Sequence, residues 1–176
     1  MTERQAISWV VAEPEALKRE KAEMERWAPA LQWREDLIWR QGRRAYGWVG
    51  LAPEWAADRP KPPGVEELID GRALQLEVVY PEAFPAAPPE LFPIEPSVPL
   101  DRRTLGRWHI NGDGSLCLMQ RADDWQIDDT AAALVRKASG WFIEYLLLEG
   151  GAIEKMTESG IFSDTDLDPI LTTFAK

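Results

Sequence analysis

A single cysteine, Cys117, and a single histidine, His109, stand among 176 residues. One cysteine excludes an internal disulfide, and the two together cannot build a four-ligand Cys/His zinc site. Basic residues are also scarce. Lys and Arg total 20 against 30 Asp and Glu, a formal net charge of −10. Phosphate backbones and anionic headgroups repel such a chain, so neither nucleic acid nor a membrane is expected as a partner. No Asp-rich loop suggests calcium or magnesium, and no residue is assigned to a metal or a cofactor. Long apolar runs are missing as well. The stretch Trp141 to Leu148 is interrupted by Glu144 and falls far short of a membrane span. The apolar part of Met1 to Val11 is too short for a secretory leader. An intracellular, cytoplasmic protein with a reduced thiol is expected.

The residues that are present fit one domain, 1–176, with a role for the tail 153–176 left unassigned. Apolar residues make up 45%, enough for a packed core. Nine tryptophans are unusual, and most are expected inside. The alternative is that some anchor a partner surface. There is no internal repeat and no low-complexity tract.

Pro14 suits a first helical position, and Leu17, Met24, Ala28 and Leu31 recur at helical spacing. Lys18, Arg19, Glu20 and Lys21 fill the opposite face, predicting an amphipathic helix of about four turns. Leu37-Ile38-Trp39 and Ala45 to Val49 flank Gln41-Gly42-Arg43 and read as a hairpin. Pro53 to Gly64 reads as loop. Ala73 to Tyr80 alternates as a third strand. Leu91-Phe92, inside the proline-rich run from Tyr80 to Pro99, makes a fourth. A linker between two domains is rejected there, because Phe84, Leu91, Phe92 and Ile94 interleave the prolines.

Asp128-Asp129-Thr130 opens a second strong helix, capped by Asp or Thr. Leu134, Ala138, Trp141, Tyr145 and Leu148 form its apolar stripe, and Gly150-Gly151 ends it. Weak helical segments separated by Gly160 and Pro169 follow. The order predicts an α+β fold: a four-stranded antiparallel meander, an N-terminal helix and C-terminal helices, with the helices on one face.

Chemistry concentrates in Trp108-His109-Ile110-Asn111-Gly112-Asp113-Gly114-Ser115-Leu116-Cys117-Leu118. Gly112-Asp113-Gly114 demands a tight turn, and Cys117 follows it between two leucines. A lone cysteine in such a setting is most often a small buried hydrophobe. No neighbouring Lys or His is bound to activate it, although folding could bring His109 close.

This stretch resembles the active-site region of ubiquitin-conjugating (E2) enzymes. Their signature is His-Pro-Asn, a Gly-bearing turn, then Cys and Leu. Here it reads His109-Ile110-Asn111, then Gly114-Ser115-Leu116-Cys117-Leu118. Phe84 to Leu91 resembles the upstream proline-rich run. Trp125, eight residues after Cys117, and Thr130 resemble the downstream Trp and helix start. The likeness spans roughly Ala16 to Gly151. Ile110 replaces the motif Pro, and Asn111 lies six residues before Cys117, two fewer than usual. Ala86 and Gln126-Ile127 replace residues that help eukaryotic members dock a RING-type E3 ligase. The wording is closer to bacterial E2-like proteins of antiphage operons, of the cyclic-nucleotide signalling (CBASS) or ubiquitin-like conjugation (Bil) type.

The resemblance implies a UBC-like fold and two acyl transfers. Cys117 would accept a ubiquitin-like protein from an E1-like activating enzyme as a thioester, then yield it to an amine on a target. A cyclic-nucleotide synthase or a phage protein would be that target. The chain has no ATP-binding loop, so activation would come from elsewhere. Asn111 would donate its amide to the charged oxygen, or else serve as a turn residue. His109 would brace the loop, with general base as the alternative. Asp123, Asp124 and Glu149 are candidates to orient the attacking amine, or are solvated charges. Trp125 would pack beneath the loop. Two other classes remain: a non-catalytic binding module of the same fold, and a Cys-dependent hydrolase with His109 on the thiol.

Overall fold

The computed structural model describes residues 7–175, apart from the side chain of Ala122. Residues 1–6 of the stretch read for a leader, and Lys176 of the tail, lie outside the described residues.

A one-turn helix α1 (Trp9–Ala12) leads into α2 (Pro14–Trp27), with Pro14 in its first turn. Ala16, Glu20 and Met24, spaced i, i+4 and i+8, are the buried residues of α2. Glu20 therefore belongs to the inner face, not to the charged outer face expected for it. The helix also stops earlier than its apolar spacing suggested. Ala28 closes it, and Pro29 pushes the residue before it out of helical geometry. Leu31, expected as a helical position, instead begins β1 (Leu31–Trp39).

β1, β2 (Arg43–Leu51), β3 (Gln75–Val79) and β4 (Glu90–Glu95) form one antiparallel sheet in sequence order. The first connection turns at Gln41 (φ 61°) and Gly42 (φ 74°), two consecutive left-handed residues. The register sets Trp33 beside Trp48, Trp48 beside Val78, and Val78 beside Leu91. That row faces the main core with Met24, Leu134 and Ile143. The opposite sheet face carries a smaller cluster around Leu37, Ala45 and Val79. The α+β class, the antiparallel meander and the helices at both ends agree with the sequence pattern. Five tryptophans are buried, and the other four are partly buried.

The long loop before β3 holds a short helix, α3 (Val65–Ile69), which the sequence reading did not anticipate. The longest helix is α4 (Ala131–Glu149). No side chain of Thr130 caps it, contrary to expectation. Its first free N–H, from Ala131, goes to the Glu20 carboxylate at 3.0 Å. Tyr80 donates its hydroxyl to the same carboxylate at 2.6 Å, and the Trp48 indole donates to that hydroxyl at 2.9 Å. A chain of buried polar groups thus ties the sheet, α2 and α4 together.

α4 buries 15 of its 19 residues, far more than one apolar stripe. The tail explains the excess. Met156, Ile161, Leu167 and Leu171 are buried in the same core. The tail forms one short helix, α5 (Asp168–Thr172), and Pro169 lies in its first turn rather than separating two segments. Arg59 binds the Asp168 carboxylate with both Nη atoms at 2.9 Å, and Ile161 O at 2.8 Å. No helix of the described residues is long and apolar enough to cross a membrane.

Candidate active site

The segment from His109 to Cys117 folds as a miniature hairpin. Asn111 N–H donates to Ser115 O at 2.8 Å, and Cys117 N–H donates to His109 O at 2.8 Å. Ile110 and Leu116 form the bridge between those pairs, and both are buried. Alternation then turns Cys117 to the other side, where it is exposed. Leu116 N–H also donates to Leu91 O at 2.8 Å, fastening the hairpin to β4.

The turn is held by Asp113. Its carboxylate accepts the Ser115 N–H at 3.0 Å and hydroxyl at 2.7 Å, and pairs with Arg40 at 3.0 Å. Burial pushes this carboxyl up, but the Ser115 donors and the Arg40 charge outweigh it and hold it below its usual value. Gly114 has φ +92°, and a Cβ there would sit 3.0 Å from the Arg103 guanidinium carbon. Glycine meets both demands.

Cys117 opens onto a cleft of about 660 Å³. Lys137, Gly140, Trp141 and Glu144 of α4 line it, together with residues 156–163 of the tail. Glu144 builds that tail wall. Its carboxylate accepts the N–H of Thr157 at 2.6 Å, the Thr157 hydroxyl at 2.8 Å and the N–H of Ile161 at 2.7 Å. Burial raises its pKa, and these donors oppose the rise. Gly140 lets the wall approach closely. A Cβ there would lie 3.1 Å from Ile161. Across the cleft, Lys137 Nζ reaches Leu118 O at 3.3 Å, and the Gln120 amide donates to Glu158 O.

His109 and Cys117 are brought together, both on this cleft and paired through the backbone. No hydrogen bond joins the imidazole to the thiol. The Sγ contact is Met119 O at 3.8 Å. Burial pushes the His109 pKa below its usual value, against the opposing charge of Glu158, so the ring is neutral at pH 7.

Asp124 also lines the cleft, where its carboxylate accepts the N–H groups of Gln120 and Arg121 at 2.9 Å each. That bond pattern shapes the loop after Cys117. Asn111 does not line the cleft. Its amide donates to Ser115 Oγ at 3.0 Å within the turn. Glu149 does not line it either. It pairs with Arg102 at 3.0 Å and accepts the Tyr145 hydroxyl at 3.3 Å. Asp123 pairs with Arg121 at 3.4 Å on the surface. Trp125 is buried, with its indole donating to Pro85 O at 2.8 Å and its ring 6.2 Å from Phe84. It fastens the chain after Cys117 to the proline-rich run.

Glu158, Ser159 and Lys137 escaped the sequence reading, because nothing local says which side of α4 the tail returns on. One signal was available. Glu144, a lone acid in an apolar run, has to find donors, and those donors had to come from elsewhere in the chain.

The arrangement offers an exposed thiol, a neutral imidazole, carboxylates and one ammonium around an open cleft. No group of three or more His, Cys, Asp or Glu among the described residues could hold a metal ion. No family model, curated protein or solved structure matches this chain.

Proposed function

We infer that this chain is an E2-type conjugating enzyme of UBC-like fold, with Cys117 as the acyl carrier. One observation carries the reading. The thiol stands exposed at the end of a braced hairpin, beside a cleft, and is not hydrogen-bonded to the imidazole. A Cys–His hydrolase needs that bond to activate its nucleophile, whereas an acyl carrier needs access first. The element order supports it too: a helix, a four-stranded meander, the cysteine hairpin, then a long helix.

The Cys117 thiolate attacks the carbonyl carbon of a thioester on an E1-like enzyme, and the E1 thiolate leaves. A neutral amine of the target then attacks the new thioester. Cys117 leaves as thiolate, and the nitrogen loses one proton to solvent or a nearby base. The exchange of one thioester for another is nearly balanced, so the protein mainly positions the groups. The backbone carbonyl of His109 braces the hairpin, while its half-buried ring makes no hydrogen bond among the described residues and so does not brace the loop as expected. Glu158 replaces Glu149 as the acid we assign beside the incoming amine, because it lines the cleft. The setting we propose is bacterial antiphage defence, with a ubiquitin-like protein as cargo.

The test is intact mass of wild type and Cys117→Ala, purified without reductant after co-expression with the neighbouring genes. The expected result is a heavier wild-type species, removed by dithiothreitol and absent from the variant. The added mass identifies the cargo. If Cys117→Ser traps no oxyester either, the chain is a binding module rather than a carrier. Turnover of a small ester without any E1 would instead make it a hydrolase.

A further inference from the structure

Arg102, Arg103 and Arg107 crowd into six residues of a chain whose net charge is −10. Arg102 is occupied. It donates to the Tyr145 hydroxyl at 2.7 Å, pairs with Glu149 at 3.0 Å and lies 4.4 Å from the Trp108 ring centre. Arg103 and Arg107 are not. Among the described residues, neither guanidinium has a carboxylate within ion-pair distance or a hydrogen-bond acceptor. Arg107 rests 5.5 Å from the Trp108 ring centre.

Arg103 lies across the turn of the Cys117 hairpin, against Gly114. Its Nε is sealed from solvent without any partner. The carboxylate on that turn, Asp113, is already committed to Ser115 and Arg40. The guanidinium is thus fixed in place by packing, while its outer N–H groups have no protein acceptor. Beside these cations two leucines face solvent, Leu100 at 77% exposure and Leu105 at 44%. Asp101 is the one acid within the stretch Leu100–Arg107, and it is exposed and makes no ion pair.

We propose that Leu100–Arg107, with the adjoining Gly112–Gly114 turn, is a docking surface for an acidic protein face whose apolar side chains alternate with carboxylates. A planar guanidinium held rigidly matches a carboxylate with two parallel bonds and little loss of freedom. The leucines supply apolar area at the same place. The rest of this acidic chain repels such a partner, so the local cations set where and how it docks. That same overall charge disfavours nucleic acid. Docking here places the partner against the hairpin that ends in Cys117. The surface is independent of what Cys117 carries.

The probe is a synthetic peptide in which pairs of glutamates alternate with leucine, titrated into the ¹⁵N-labelled full chain at low salt. Amide shifts are expected in residues 100–107 and 112–115. The Arg103→Gln/Arg107→Gln double variant should bind about tenfold more weakly, since two charge-assisted contacts are lost together. Leu100→Asp, at an exposed position that leaves the turn untouched, should also weaken binding. Arg121→Gln, a cation already paired with Asp123, should change nothing. A peptide with lysine in place of glutamate should give no shifts. Equal response to both peptides overturns the proposal, as does full binding by the double variant. Tighter binding of oligo-dT would make the partner a nucleic acid. Sedimentation showing a dimer of the protein alone, lost in the double variant, would assign the surface to a second copy.

Discussion

Two carboxylates are almost fully buried, and they do different work. Glu20 ties α2 and the sheet to the start of α4, and Glu144 ties α4 to the tail wall of the cleft. Burial raises the pKa of both. At Glu20 two donors, the Tyr80 hydroxyl and the Ala131 N–H, oppose burial and lose, and the pKa stands at about 7. Even the helix N-terminus beside it does not return that pKa to its usual value. At Glu144 three donors converge, two of them backbone N–H groups. Glu20 is thus held by two donors, and Glu144 by three. The cleft therefore stands on the arrangement less able to tolerate loss of its anchor.

Removing that anchor should have the largest effect. Glu144→Ala strands the N–H groups of Thr157 and Ile161 and opens a gap beside α4. A loss of about 4 kcal/mol is expected in urea unfolding. Hydrogen exchange should quicken at Thr157 and Ile161 while Ala131 stays protected. Uniform quickening at all three would erase the distinction between the regions.

Glu20 should show itself through pH. Unfolded, it ionises near 4.5, and folded near 7. Between those values the folded state holds a proton that the unfolded state releases. Its stabilising contribution is complete below about 4.5 and is lost as pH rises through 7. The loss amounts to about 3 kcal/mol between pH 4.5 and 8. Glu20→Gln cannot ionise, so stability of the variant should lack this decline when both proteins are unfolded in urea across that range. An identical decline in both would assign it to other groups.

Tyr80→Phe sharpens the same point at smaller cost. It removes the hydroxyl that helps keep Glu20 charged, and leaves the Trp48 indole without its acceptor. About 1–2 kcal/mol should be lost near pH 5. The decline should still begin near pH 4.5 but extend to higher pH, because the folded Glu20 pKa rises further.

These residues also mark where the sequence could be read and where it could not. The hairpin was legible because Gln41-Gly42 can take two left-handed conformations, and the flanking runs have strand composition. α4 was legible from its apolar spacing. The end of α2 was misread because Leu31 fitted a helical period, although Pro29 already forbade it. Glu20 was misplaced because charge alone argues for solvent, and its partners, Tyr80 and Ala131, lie 60 and 111 residues away. The same holds at the site. The tight turn before Cys117 and the nearby His109 are local and were readable, whereas the Ile110–Leu116 bridge that makes a hairpin of them was not read. The tail wall was not readable either, because Met156, Ile161, Leu167 and Leu171 follow no regular period.

The smallest expected effect separates the acids near the thiol. Asp124 spends its carboxylate on two loop N–H groups, and Glu149 spends its own on Arg102 and Tyr145. Glu158 lines the cleft and makes no ion pair among the described residues, so its carboxylate is free to meet an amine. If Cys117 hands its cargo to a lysine, Glu158→Gln should raise the KM for that acceptor about threefold and leave loading from the E1 unchanged. An exposed pair of this kind is worth less than about 1 kcal/mol. Glu149→Gln should alter neither step. Asp124→Ala removes the one oxygen, Oδ2, that accepts both N–H groups and so loosens the loop, and it should slow loading and transfer together. A KM change confined to Glu149→Gln would place the acceptor on the Arg102 side of the hairpin and away from the cleft.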